Sequence, residues 1–130
     1  FVSFQLTPDM LPLSFQVQTA CDAAKLCAAR LSAVDAPSWE NTETTISALR
    51  ERIEKTISYL NSVPAGQIDG SEEREIEMQA GPDLKLKFTG EEYLQTFALP
   101  NFFFHATMTY ALLRQGGVPL GKMDFLGPPK

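Results

Sequence analysis

Apolar positions recur at helical spacing in three stretches of this chain and alternate strictly in a fourth. Leu13, Val17, Ala20, Ala24, Cys27 and Leu31 form the first stripe, which predicts a helix opening behind Pro8 and Pro12, where a missing N–H costs nothing. Ala23, Ala24, Ala28 and Ala29 leave room for a second helix to approach. The pattern lapses at "VDAPSWENT", a loop by composition. A second helix is predicted from Thr42 to about Ser62, with Ile46, Leu49, Ile53, Ile57 and Leu60 as its buried stripe. Glu51 and Lys55 make a favourable i,i+4 pair on its other side, and Pro64 and Gly66 end it.

The period then changes. In "REIEMQAGPDLKLKF", Ile76 and Met78 face one way, and Leu84, Leu86 and Phe88 alternate likewise around the turn residues "AGPD". This predicts a β-hairpin in which Glu75 and Glu77 sit across from Lys85 and Lys87 on a solvated face. The third helical region opens at "TGEEYL", where Thr89 and Glu92 have capping-box spacing. Pro100 is expected to break or kink it. A straighter run follows from Asn101 to Arg114 and stops at Gly116-Gly117. The tail "VPLGKMDFLGPPK" is too rich in Pro and Gly to read as helix; Leu120, Phe125 and Leu126 are expected to strap it onto the rest.

The run 101–114 is apolar nearly all round, and a helix of that kind is normally surrounded by others. Three helices and a hairpin leave it short of cover. A fourth helix is expected, from a missing N-terminal segment or from a second subunit, and with it a homodimer.

The 130 residues suit one domain, and 44% hydrophobic residues supply an ample core. A net charge of −5 argues against nucleic acid and against anionic membrane surfaces. No apolar run approaches the roughly 20 residues that span a bilayer. "FVSFQLTPDM" has neither the basic region nor the apolar core of a signal peptide. Cys21 and Cys27, on one helix, point about 240° apart and do not bond there. Both read as reduced thiols, as in a cytoplasmic protein.

Candidate chemistry gathers at "PNFFFHATMTY". His105 is the only histidine, and Asn101 lies about 40° from it on a helix. On the first helix Gln16 sits nearer the apolar stripe than Gln18, so Gln16, Asn101 and His105 are expected to meet inside the bundle. They would form a ligand-binding or metal-binding triad, or a set of core polar groups that satisfy one another. One histidine and two amides make a poor zinc site, since zinc takes three or four His, Cys or carboxylate ligands. No nucleophile elbow or phosphate-cradling loop is present. Cys21 would act as a nucleophile only if His105 or a helix end lowered its pKa. Asp9 and Asp22 read as caps or solvated positions, and Trp39 as a packing residue.

The stretches "LPNFFFHATMTYALLRQGGVPLGKMDFLG", "PDMLPLSFQVQTACDAAK" and "ENTETTISALRERIEKT" closely resemble an uncharacterised domain-of-unknown-function family grouped with the DinB/YfiT-like helical bundles. The resemblance runs from about Thr7 to Gly127. It implies an all-α, up-and-down four-helix bundle with an inserted hairpin, a single domain over 1–130 that lacks the family's first helix. Many DinB-like proteins hold a divalent metal with three histidines, two of them i,i+4 on the last helix. By that resemblance His105 takes the place of the second of the pair, Asn101 the first, and Gln16 (less so Gln18) the third. Two of three ligands are amides, so the resemblance implies the place of a site and weakens its metal chemistry.

The reading favoured is a non-catalytic or small-molecule-binding protein with a degenerate metal site at Gln16, Asn101 and His105 and no required cofactor. One alternative is a transferase- or isomerase-type enzyme, with or without a divalent metal, using His105 as acid/base. Another is a dimerisation or scaffold protein.

Overall fold

The computed structural model describes residues 1–129. Its elements are α1 (Leu13–Ser32), α2 (Ile46–Ser62), the single turn α3 (Ala65–Ile68), β1 (Glu75–Gln79) and β2 (Lys85–Thr89). A continuous helical run follows: α4 (Gly90–Glu92), a π-helical segment (Tyr93–Ala98) and α5 (Leu99–Gln115). The short α6 (Lys122–Leu126) closes the chain. No helix among the described residues is long and apolar enough to cross a membrane.

Helix α1 is the centre, packed against α5 on one flank and α2 on another. Pro12 gives it no side-chain cap, so the first-turn N–H groups need other partners. The preceding segment supplies them: Leu13 N–H donates to Phe4 O at 2.8 Å and Ser14 N–H to Val2 O at 3.0 Å. That segment lies against Gly116, where an added Cβ would fall 2.3 Å from the Phe4 ring. One core cluster joins Leu13, Val17, Cys21, Leu49 and Leu112. The other joins Leu31, Ile76, Tyr93 and Ala98, and docks the hairpin under the end of α1.

The hairpin pairs Glu75 with Thr89, Glu77 with Lys87 and Gln79 with Lys85. Lys87 reaches both Glu77 (3.4 Å) and Glu75 (3.7 Å), all three side chains in solvent. Ile76 is buried on the opposite face, as strict alternation requires. The capping box at Thr89 and Glu92 forms as its spacing predicts.

Several expectations change, among them the hairpin register, which sets Gln79 rather than a glutamate across from Lys85. Helix α2 starts one turn later than Thr42, because Thr45 is the cap and accepts from Ala48 N–H at 3.1 Å. Pro100 does not break the helix. It lacks an N–H for Thr96 O, and its ring would crowd that carbonyl in α geometry; the chain widens into π-helix just before it and continues. The tail forms the turn α6, opened by Gly121 N–H donating to Asp124 Oδ2 at 2.8 Å. Phe125 meets Tyr110 edge to face, whereas Leu126 stays exposed.

The largest correction concerns α2. Of its apolar stripe only Leu49 is buried; Ile46, Ile53 and Ile57 are 44%, 41% and 51% exposed. Arg52 and Thr56 are buried instead. The helix has turned its polar seam onto α1, and Ile53 and Ile57 face α5 across an open groove of about 780 Å³ floored by Val17, Ala20 and Ala24. Three long helices therefore stand among the described residues, with the groove open between α2 and α5.

Candidate functional site

Helices α1 and α5 run antiparallel, so Leu13 packs near Leu112 at one end and Arg30 reaches Tyr93 at the other. In the first turn of α1, Gln16 meets His105. The Gln16 side chain is buried (3% exposed), and its Nε2 donates to Leu11 O at 3.2 Å. That contact aims Oε1 at His105, whose Nδ1 lies 2.7 Å away. An amide oxygen only accepts, so Nδ1 carries the proton and donates, leaving Nε2 as the basic nitrogen.

Phe15 and Phe104 set their rings edge-on to the imidazole at centroid distances of 6.1 and 5.1 Å. Burial holds the His105 pKa below the ordinary value of 6.5. The neutral imidazole is the favoured form, with one nitrogen committed to Gln16.

Asn101 lies one turn back along α5. It makes no side-chain hydrogen bond to Gln16 or His105 among the described residues. It lines a separate cleft of about 150 Å³ with Thr19, Asp22, Ala23 and Arg30 of α1. One helical turn is about 5.4 Å, so in an antiparallel pair Asn101 falls beside the next turn of α1, past the reach of Gln16. Two of the three expected residues meet; the third borders the neighbouring cleft.

Gln18 points the other way. It is 7% exposed and its Nε2 donates to Glu43 Oε1 at 3.0 Å, within a charge cluster that the sequence did not announce. Arg52, its side chain wholly buried, donates to Asp22 Oδ1 (3.0 Å), Glu43 Oε1 (3.0 Å) and Glu40 O (3.1 Å). Lys25 Nζ lies 3.3 Å from the same Asp22 oxygen. Lys25 and Lys55 stand 4.7 and 4.4 Å from the Trp39 ring centroid, within cation–π range. The i,i+3 spacing of Asp22 and Lys25 was the available hint. Asp22 is thus an anchor for two cations, and Trp39 is a platform for charge as well as a packing residue. Asp9 stays exposed in the N-terminal segment.

Cys21 and Cys27 are free thiols. Burial raises both pKa values, against smaller lowering effects that include Thr56 and Arg52 for Cys21 and Arg30 for Cys27. Neither is an activated nucleophile. Among the described residues no three His, Cys, Asp or Glu side chains gather to hold a metal. At the seam the donors are one imidazole and amides, which does not fit a zinc-type ion.

Among solved structures, the crystal structure of a DinB family member protein from Shewanella denitrificans is similar. It is 35% identical, superposes with a TM-score of 0.89, and the match covers 98% of this chain and 72% of that one. No curated protein matches. The family described as a domain of unknown function, DUF1993, matches residues 1–126. The chain belongs to that DUF1993 family, within the DinB-like helical superfamily.

Proposed function

We propose that this protein is a small-molecule-binding, non-catalytic member of its family, acting at the α1–α5 seam around Gln16, Asn101 and His105, where a DinB-like metal site has degenerated. The observation that carries this reading is the 2.7 Å contact between His105 Nδ1 and Gln16 Oε1. An imidazole oriented by a buried amide, beside a cleft that Asn101 borders, suits hydrogen-bonded recognition of a polar group. It is a poor start for metal-assisted hydrolysis or transfer.

The test is a fragment titration of ¹⁵N-labelled protein followed by NMR, with metal analysis of protein purified without chelator. Shifts clustering at Phe15, Gln16, Asn101 and His105, and weakened by His105→Ala, are expected. Stoichiometric divalent metal lost in His105→Ala would instead support the enzyme reading.

The groove supports a second reading, a homodimer in which a partner helix fills the fourth position. Ile53, Ile57 and Phe103 are 41%, 51% and 49% exposed along it, an apolar helix face of the kind that a neighbouring helix covers. Sedimentation should give a dimer that Ile57→Glu converts to monomer. A stable monomer in the wild type would overturn the assignment.

A further inference from the structure

Arg30 is a cation without an acid. No carboxylate lies within ion-pair distance of it among the described residues, and its one side-chain hydrogen bond runs from Nη1 to Tyr93 Oη at 3.0 Å. Its guanidinium also lies 5.6 Å from the Tyr93 ring centroid. Tyr93 is itself fixed, 1% exposed and stacked on Phe97 at 6.1 Å. The arginine is therefore held in place with most of its donors unspent.

It lines the cleft that Asn101 borders. The walls between them are apolar, with Ala23 and Ala98 on facing helices and Leu26 and Phe97 beside them. The π-helical segment places Phe97 and Ala98, and departures of this kind from α geometry recur at functional sites. Asp22 also borders the cleft, but Lys25 and Arg52 both hold its Oδ1, so its charge is already offset. The remaining polar groups offered to a ligand include the Asn101 amide and the Thr19 hydroxyl. A volume of about 150 Å³ is that of a cavity that takes a benzene-sized guest, about six heavy atoms.

We infer that the cleft binds a small aliphatic carboxylate of about five or six heavy atoms, its carboxylate on Arg30 and its body between Ala23 and Ala98. Arginine matches carboxylate geometry because two parallel N–H groups meet two oxygens. This rests on the small-molecule reading of the seam, seats the ligand in the cleft that Asn101 borders rather than on the Gln16–His105 contact, and names its class.

The test titrates ¹⁵N-labelled protein at fixed ionic strength with sodium butyrate, the neutral butyramide and n-butylammonium, following the Arg30 Nε–H and Asn101 side-chain signals. Butyrate is expected to bind at least tenfold tighter than either analogue, and Arg30→Gln is expected to erase that preference. Equal or tighter binding of butyramide or n-butylammonium to the wild type overturns the carboxylate assignment and leaves the small-molecule reading standing. So does a butyrate preference that survives Arg30→Gln. Silence of the cleft and seam to all three probes overturns both. The wild-type comparison decides the matter even where the variant fails to fold.

Discussion

His105 donates its Nδ1 proton to Gln16 Oε1 across 2.7 Å, and the Gln16 amide is itself held by Leu11 O. This relay from a loop carbonyl through α1 to α5 fixes both the tautomer and the orientation of the only imidazole in the chain. Replacing Gln16 by Leu leaves a partly buried N–H without a partner. The expected cost is about 1–3 kcal/mol, read from urea unfolding, and the Nδ1-protonated tautomer should be lost from the histidine ¹⁵N spectrum.

The same histidine makes stability depend on pH. Its folded pKa lies below the unfolded value of about 6.5, so the unfolded chain binds the proton more readily. Stability therefore rises with pH through the window between the two values. It should be full above about 6.5, fall as the pH drops below that, and level off once the folded pKa is passed. Unfolding curves of the wild type minus those of His105→Gln isolate the effect from the carboxylates; a flat difference would contradict it.

Arg52 ties α2 to α1 and to the loop before it. Arg52→Met keeps much of the volume but leaves Asp22 and Glu43 without their buried partner. Breaking a buried pair in this way costs about 3–5 kcal/mol, and Asp22, at 32% side-chain exposure, places the expectation near the lower bound. Chemical denaturation should show it, and a loss under about 1 kcal/mol would mean that the pair behaves as a surface one.

Two glycines should respond differently to alanine. A Cβ at Gly90 would fall 1.9 Å from Ser71 O, which is backbone. The hairpin must move, and a loss of about 3 kcal/mol or failure to fold is expected. At Gly116 the obstacle is the movable Phe4 ring, so Gly116→Ala should cost about 1 kcal/mol and loosen the N-terminal segment. Thermal melts of the two variants side by side check the order.

Removing the Thr45 cap is a mild change. Thr45→Ala should cost about 1 kcal/mol, with the first turn of α2 gaining hydrogen-exchange rate ahead of the rest.

Local chemistry was legible along the chain. The three helices, the hairpin and the box at Thr89 and Glu92 follow from periodicity, alternation and capping, which act between residues close in sequence. So does the suspicion that falls on His105. Which face of a helix meets its neighbour is a different matter, because periodicity gives a stripe and no partner. The isoleucines of α2 read as core, yet α1 receives Arg52 and Thr56, and the stripe is left on a groove. Arginine on a helix reads as solvated until Asp22 and Glu43, distant in sequence, are brought to it. Helical angle placed Asn101 and His105 on one side of α5, but the antiparallel crossing with α1 paired only His105 with Gln16 and left Asn101 to the next cleft. Those outcomes rest on contacts between residues far apart in the chain, which exist only once the helices have chosen their packing.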